Sequence, residues 1–262
     1  RTPLSRVKGG GLRAVAPRAR FVTLVLSDVL SNDPRVIASG PTIPSTPDAA
    51  AALGLLERYG IAGAVPAGVI EALVELAGSA PAAVPAAGDV LAFAGDNDRA
   101  VQAMAAAAAA DGVRARIAWR RREGEASALG REWIEAALTR EEPADALFGG
   151  GEATVTVRGG GAGGRNTEFA LAAAVELARI GESRWLAGSL ATDGQDALTG
   201  VAGAIGDGGT AERAAAAGVD PAAALMDNDS LAVFRAAGGI VAPGPTGTNV
   251  NDLYVALRLG AV

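Results

Sequence analysis

GGGEATVTVRGGGAGGRNTEF, residues 149–169, is the stretch of sequence that decides the fold and directs the search for a site. Its alternating run Ala153–Val157 predicts a β-strand, and the residues from Asn166 to Ile180 predict a helix. Between them, five of the six residues 159–164 are glycine. A glycine-rich turn that ends at a helix N-terminus directs unpaired N–H groups toward an anion, most often phosphate. The segment therefore predicts an anion site, with Arg165 as its cation.

Three interpretations of this glycine-rich turn stay open. Gly159, Gly161 and Gly164 satisfy the G-x-G-x-x-G pattern of a dinucleotide site, but the acid expected ~20 residues further on is missing, since Asp193 lies too far along. The spacing also fits a P-loop, except that Arg165 and its neighbour replace the Lys-Ser/Thr pair. The third interpretation is a flexible hairpin without a ligand. A strand, a helix and an arginine in register favour the anion site.

Composition excludes several function classes. The 262 residues are 50% apolar and 20% charged, which is typical of a globular protein rather than a disordered one. A net charge of −6 gives no electrostatic argument for nucleic acid or an anionic membrane, and only the segment Arg114–Arg122 is locally basic. No apolar run approaches the ~20 residues of a membrane span, and we recognise no signal peptide. We expect a cytoplasmic protein without nucleic-acid or membrane partners, and a homodimer stays open.

The chain contains neither cysteine nor histidine. This excludes disulfides, thiolate metal sites, histidine-ligated metals and Ser–His or Cys–His catalysis. Any proton transfer must therefore use Asp, Glu, Lys, Tyr, the substrate or water.

Strand and helix signals predict two α/β domains. The run Phe21–Leu26 is typical of a strand that is buried on both faces. An Ala/Pro/Gly-rich, linker-like segment covers 78–88, so we place a domain boundary near residue 85, between domains 1–85 and 86–262. From Val90 to Leu190 predicted strands alternate with predicted helices, which favours a layered α/β domain.

Polar residues gather in loops that follow predicted strands, where open α/β sheets bind ligands. These loops contain Asp28, Thr192-Asp193-Gly194 and Thr246–Asn249. Each loop alone is explained by a helix cap or a tight turn, as is the NDS stretch at 228–230. The Lys8-Gly-Gly-Gly stretch alone is explained by a frayed terminus. Taken together, main-chain donors, hydroxyls, cations and carboxylates are the groups that phosphate chemistry requires.

Several motifs in order resemble one protein family. They are LSRVKGGGL (4–12), LSDVLSNDPRVIASGPTIP (26–44), GDND (95–98), GGEATVTVRGGGAGGRNTEFAL (150–171), ATDGQDALTGVAGAI (191–205), NDS (228–230) and GPTGTNVNDL (244–253). This set is similar to the C-terminal part of the glycerate 2-kinase family, whose last region is called the MOFRL domain. Such proteins have also been called hydroxypyruvate reductases.

The resemblance implies two layered α/β domains with an inter-domain cleft, the first of them incomplete here. It implies ATP-dependent phosphorylation of D-glycerate at the 2-hydroxyl, with ATP and Mg²⁺ as cofactors. Arg165, Asp193 and Lys8 would be catalytic, and Asp193 would also be the metal ligand. Contacts with substrate or nucleotide would come from Asp28, Ser39, Glu152, Gly161, Gly163, Gly164, Asn166, Asp229, Thr246, Gly247, Thr248 and Asn249.

The sequence also departs from the family pattern. Gly200 replaces an acid, Ala197 replaces a glycine, and Pro3 stands where a histidine is usual. The family also has a further N-terminal portion, which supplies a catalytic lysine. Two alternatives therefore stay open beside the kinase: an NAD(P)-dependent hydroxypyruvate reductase and a truncated, non-catalytic binding module.

Overall fold

A computed structural model describes residues 2–45, 48–77, 88–139, 143–197 and 200–260. The chain forms two compact units. The first comprises Arg1–Val25 and Asn32–Ala94, and the second comprises Leu26–Ser31 and Gly95–Val262. Most of the predicted linker, 78–87, lies outside the described residues. The domain boundary near residue 85 stays a prediction.

The first unit contains a two-stranded sheet and short helices. Its elements are α1 (Gly11–Ala14), β1 (Val22–Leu26), α2 (Ala49–Arg58), α3 (Ala67–Ala77) and β2 (Val90–Gly95), although the last residue of each strand belongs to the second unit. The α2 helix begins after Asp48, whose carboxylate accepts a 2.7 Å hydrogen bond from the N–H of Ala51. Asp48 therefore caps this helix, as the sequence predicts.

The prediction that β1 is buried on both faces is wrong. Val22 and Leu24 are 64% and 71% exposed, whereas Val25 is buried. Among the described residues β1 pairs with β2 in a sheet of two strands, so its alternate side chains face solvent rather than a second layer.

The second unit is built on a six-stranded mixed sheet. Its strands are β3 (Ala115–Glu125), β4 (Ala146–Thr154), β5 (Trp185–Ala191), β6 (Gly203–Asp207), β7 (Ile240–Val241) and β8 (Asp252–Arg258). Their order across the sheet is β3-β4-β8-β5-β6-β7. The β3–β4 pair is parallel, and the other neighbouring pairs are antiparallel.

Helices cover both faces of this sheet. They are α4 (Asn97–Ala110), α5 (Ala126–Ala137), α6 (Arg165–Arg179), α7 (Thr210–Ala216), α8 (Pro221–Met226) and α9 (Ser230–Ala237). One core cluster packs Trp133 and Phe169 of α5 and α6 against Tyr254 of β8. The other face packs Val101 of α4 against Phe148 of β4. The mixed α/β fold is the class that the sequence predicts.

Two strands differ from the sequence prediction. The sequence predicts separate strands before and after Gly149–Gly151, but β4 runs through these glycines without a break. A side chain there would collide with its surroundings: a Cβ on Gly150 would lie 2.2 Å from Oδ1 of Asn97, and one on Gly151 would lie 1.9 Å from the carbonyl oxygen of Arg122. The sequence analysis also missed β6, which pairs with β5.

The sheet register places two acidic residues together. Asp252, the first residue of β8, pairs with Gly151 of β4 and with Ala191 of β5. Glu152 follows Gly151 directly, and the loop that contains Asp193 follows Ala191. The ends of three neighbouring strands therefore meet at one edge of the sheet.

Candidate functional site

The glycines of the turn at 159–164 pack against the turn at 227–230. A Cβ on Gly159 would lie 2.4 Å from Cα of Asp227, and one on Gly161 would lie 2.6 Å from Cα of Asp229. A Cβ on Gly163 would lie 2.3 Å from Oγ of Ser230. Glycine is required at these positions because two backbone segments approach closely, whether or not a ligand binds.

Four consecutive N–H groups of this glycine-rich turn, those of Gly159–Ala162, already have protein acceptors. Oδ1 of Asn228 accepts from Arg158 and Gly159, at 2.7 and 3.1 Å. Oδ1 of Asp227 accepts from Gly160, and Oδ1 of Asp229 accepts from Ala162. Asp229 therefore holds the turn in shape. A contact of Asp229, Gly161 or Gly163 with nucleotide stays a prediction.

Arg165 is the first residue of α6, at the helix N-terminus where the sequence places it. Its Nε lies 2.7 Å from Oδ2 of Asp252, and its Nη2 donates to Oδ1 of the same carboxylate at 3.0 Å. Its Nη1 donates to Oε1 of Glu152 at 3.3 Å. The arginine side chain is 34% exposed, so part of it still reaches the surface although it is ion-paired.

The carboxylate of Asp196 occupies the N-terminus of α6. Its oxygens accept from the main-chain N–H groups of Asn166 at 3.2 Å and Thr167 at 3.0 Å. A Cβ on Gly164 would lie 2.3 Å from the Asp196 carboxylate carbon. The sequence predicts an anion at this helix start, and the structure supplies one from the chain itself.

A pocket of about 680 Å³ lies beside the start of α6. Arg165, Asp193 and Asn249 all line it, so three residues that the sequence selects from separate loops share one pocket. Other predicted site residues that line the pocket are Glu152, Gly161, Gly163 and Gly164. Gln195, Asp196, Glu168 and Asn228, which the sequence analysis did not select, line it as well.

Hydrogen bonds join the two loops that supply Asp193 and Asn249. The hydroxyl of Thr246 donates to the carbonyl of Thr192 at 2.6 Å, and the N–H of Thr246 donates to the carbonyl of Asp193 at 3.2 Å. Asp193 Oδ1 accepts from the N–H of Gln195. The residues Gly247-Thr248-Asn249 are exposed, and their role in binding stays a prediction.

The remaining predicted residues lie elsewhere in the chain. Lys8 and Ser39 belong to the first unit, where the N–H of Gly9 donates to the carbonyl of Ser39 at 2.8 Å. Asp28 belongs to the second unit, and its carbonyl accepts from Nδ2 of Asn251 at 2.7 Å. Contacts of Lys8, Asp28 and Ser39 with a ligand stay predictions.

Burial sets the electrostatics of the pocket. It raises the pKa of Asp252 to about 6, although the ion pair with Arg165 acts in the opposite direction. It also raises the pKa of Glu168, whose carboxylate accepts from Nδ2 of Asn228 at 3.0 Å. Tyr254 is buried below Asp252, and desolvation followed by the charge of Asp252 raises its pKa. Of the described lining residues only Arg165 is basic, against four acids.

The sequence analysis missed the residues beneath the pocket. Asp252 and Asn251 were quoted within the GPTGTNVNDL motif but were not assigned a role. A signal existed for Asp252, because an acid at the start of an otherwise apolar, alternating strand is uncommon. Nothing in the local pattern pointed to Asp196 as the residue that binds the start of α6.

Two classes of feature are absent from the described ranges. No group of three or more Asp, Glu, His or Cys side chains there is placed to hold a metal ion. None of the described helices has both the length and the apolar character needed to cross a lipid bilayer.

Fold and pocket together define an α/β protein with a polar pocket at one edge of its sheet. The MOFRL family matches residues 145–252, and a domain of unknown function, DUF4147, matches residues 1–74. A glycerate kinase from Macaca fascicularis is 34% identical over 97% of this chain and 76% of its own length. The chain belongs to the glycerate kinase family.

Other relatives carry two kinds of name. A D-glycerate 2-kinase from Thermotoga maritima is 38% identical over 98% of this chain and 61% of its own length. A provisionally named hydroxypyruvate reductase from Agrobacterium vitis is 39% identical over 98% of this chain and 59% of its own length. The crystal structure of a glycerate kinase from Thermotoga maritima has a TM-score of 0.88, with 36% identity over 98% of this chain and 62% of that one. This chain thus spans about three fifths of these three proteins.

Proposed function

We propose that this chain is part of an enzyme that transfers phosphate from ATP to the 2-hydroxyl of D-glycerate, giving 2-phosphoglycerate. The observation that carries the proposal is the pocket in which Arg165 meets the loops of Asp193 and Asn249. Relatives named glycerate kinase and D-glycerate 2-kinase support the same reaction. The proposal concerns the whole protein, because the chain covers only part of those relatives.

Arg165 is the group best suited to bind an anion in this pocket. A guanidinium carries five N–H donors, and the carboxylates of Asp252 and Glu152 use those on Nε and one edge of each Nη. The remaining donors on Nη1 and Nη2 are available on the exposed part of the side chain. They can bind the glycerate carboxylate or the phosphoryl group in flight.

The excess of acids in the pocket favours a cation that accompanies the nucleotide. Glu152, Asp193 and Asp196 all line the pocket around a single arginine. Mg²⁺ typically binds one or two protein carboxylates and completes its shell with phosphate oxygens and water. A lone carboxylate such as Asp193 fits this mode, which needs no cluster of three acids. When bound, Mg²⁺ would neutralise charge that develops on the transferring phosphoryl group.

Phosphate groups have fewer main-chain donors here than the glycine-rich sequence suggests. The N–H groups of Gly159–Ala162 already donate to the turn at 227–229. We therefore assign nucleotide contacts first to the exposed loop Gly247–Asn249, and assign to the glycine-rich turn the shaping of one pocket wall.

The reductase is the second candidate, because one relative carries that name. Its sequence support is the spacing of Gly159, Gly161 and Gly164. Close packing against Asp227, Asp229 and Asp196 accounts for the same glycines without a dinucleotide. The kinase is therefore the stronger proposal.

The deciding experiment supplies the full-length protein that carries this sequence with D-glycerate, ATP and Mg²⁺. We expect release of ADP, and ³¹P spectra that identify 2-phosphoglycerate rather than 3-phosphoglycerate. L-glycerate is the control for stereochemistry. Oxidation of NADH with hydroxypyruvate, without ADP release, would replace the kinase by the reductase. Binding of ATP without any turnover would support the non-catalytic module.

Replacing Arg165 by Ala tests the role of the pocket arginine. We expect kcat/KM for glycerate to fall ~10²-fold or more, as for loss of a main electrostatic stabiliser. Arg114→Ala is the matched control, because Arg114 also pairs with an aspartate but lies at the other end of the sheet. Unchanged kinetics in a folded Arg165→Ala protein would remove Arg165 from the mechanism.

A further inference from the structure

The orientation of Arg165 depends on one buried carboxylate. The side chain of Asp252 is 0% exposed, and its two oxygens bind Nε and Nη2 of Arg165 at 2.7 and 3.0 Å. Two parallel hydrogen bonds fix the plane of a guanidinium, whereas a single bond lets it rotate. Glu152, the other partner of Arg165, is 41% exposed and makes one longer bond.

Asp252 is itself held from several directions. Oδ1 accepts from Nδ2 of Asn166 at 3.1 Å, and Oδ2 accepts from the N–H of Ala153 at 3.4 Å. Its main-chain carbonyl accepts from Nδ2 of Asn97 at 3.0 Å, and its backbone pairs with strands on both sides. This carboxylate therefore has little freedom to move.

Asn166 connects the same carboxylate to the start of α6. Its Oδ1 accepts a short hydrogen bond from Oγ of Ser189 on β5, and its Nδ2 also donates to Oδ1 of Asp196 at 3.3 Å. Ser189 and Asn166 are fully buried. The network thus ties the first turn of the helix to β4, β5 and β8, and the Arg165 guanidinium is its exposed end.

A buried carboxylate is costly, and burial raises the pKa of Asp252 well above its ordinary value. Apolar side chains would fill such a position with less cost to stability. We infer that Asp252 is a positioning residue, which holds the Arg165 guanidinium in one orientation at the pocket. The kinetic test of this inference rests on the proposed function, but its spectroscopic test does not.

The kinetic test combines Asp252→Asn with Arg165→Ala. Asn keeps the shape of the side chain but faces Arg165 with one donor in place of an acceptor, so the paired bonds are lost. We expect kcat/KM to fall about 10–100-fold in Asp252→Asn, as for misplacement of a catalytic group. The same substitution should change nothing further in the Arg165→Ala background. A purely structural role would lower activity equally in both backgrounds and would overturn the inference.

Asp145→Asn is the matched control for the substitution itself. Asp145 also binds an arginine Nε at 2.7 Å, that of Arg114, but lies away from the pocket. We expect the Asp145→Asn protein to be as active as the wild-type protein. A similar loss in both variants would show that the assay reports general damage, and would count against Asp252.

The spectroscopic test follows the arginine Nε–H resonances by NMR. The Arg165 signal, assigned by its loss in Arg165→Lys, should exchange with solvent about tenfold more slowly than that of Arg114. Asp252→Asn should remove this protection, and Asp145→Asn should leave it. Should Asp252→Asn fail to fold, the wild-type rates decide alone: equal exchange at Arg165 and Arg114 overturns the inference. Failure to phosphorylate glycerate would sink the proposed function while leaving this test valid.

Discussion

The β4–β8 strand pair carries an arginine–aspartate cluster at each end, and the two clusters behave in opposite ways. At the pocket end, Asp252 is 0% exposed and binds Arg165. At the far end, Asp145 is 11% exposed and binds Arg114 and Arg258, which are 64% and 39% exposed. The shortest N–O distance is 2.7 Å in both clusters.

The pKa values of the two aspartates shift in opposite directions. Burial raises the pKa of Asp252 to about 6 despite its arginine. The hydrogen bond from Arg114 lowers the pKa of Asp145, and together with the charge of Arg114 and the contact with Arg258 it outweighs the desolvation that opposes it. The same pair of residue types therefore stabilises the surface cluster and costs stability in the buried one. A buried ion pair is better explained by the position it enforces than by the stability it adds.

The largest expected difference is in the cost of losing the arginine. Arg165→Met leaves the Asp252 carboxylate buried without its cation, so we expect unfolding at pH 7.5 to become easier by roughly 3–5 kcal/mol. Arg114→Met removes an exposed partner and should cost far less, because exposed ion pairs add little to stability. Urea denaturation measures both. The loss in free energy of unfolding caused by Arg165→Met should shrink at pH 5, where Asp252 is protonated. Equal losses in the two variants would remove the distinction between the clusters.

The second difference is in how stability depends on pH. The folded pKa of Asp252 is raised from 3.8 to about 6, so its contribution is fully present below pH ~4 and is lost as the pH rises through ~6. At 1.36 kcal/mol per unit this loss amounts to roughly 3 kcal/mol. Arg165 opposes this rise through its charge and its hydrogen bond, and the charge of Asp252 in turn raises the pKa of Tyr254.

Asp252→Asn should therefore remove a fall in stability between pH 4 and 7. Asp145→Asn should remove the opposite contribution, one that is present at neutral pH and lost as the pH falls, because the pKa of Asp145 is lowered. Denaturation at a series of pH values compares the two slopes with the wild-type slope. If the free energy of unfolding changed with pH in the same way in both variants, this would contradict the burial of Asp252.

Local pattern was enough to predict much of the second unit. The sequence predicts a helix over Asn166–Ile180 and strands over Trp185–Leu190 and Leu253–Leu259, and these bounds lie within a residue or two of those of α6, β5 and β8. Asp220 caps α8, as its place before Pro221 indicates. The strand through Gly149–Gly151 was missed because its glycines serve contacts with other elements, which local propensity does not encode.

The site was predictable only in part. Arg165 directly follows the glycine-rich turn and Asp193 stands in a polar loop, and the composition of both segments already suggested anion chemistry. Asp252 and Asp196 could not be paired with the start of α6 from sequence alone, because the contacts span 86 and 30 residues. The partners of the glycine-rich N–H groups lie at 227–229, so spacing suggested a ligand where the chain supplies its own acceptors.

The smallest expected change in stability comes from the glycine-rich turn that forms one wall of the pocket and packs tightly against the turn at 227–229. Gly161→Ala would place a Cβ 2.3 Å from Cβ of Asp229 and 2.6 Å from its Cα, so the 227–229 turn must shift. We expect a loss of roughly 1–3 kcal/mol, typical of overpacking.

Gly160→Ala is the neighbouring control: no atom lies within 4 Å of its added Cβ. Neither glycine has a positive φ, so the alanine at 160 should be neutral or stabilise by about 0.4–1 kcal/mol through the unfolded chain. Thermal melts compare the two variants. If Gly161→Ala were as stable as Gly160→Ala, the turn at 227–229 would be free to retract, and the glycine-rich N–H groups would become available to a phosphate after all.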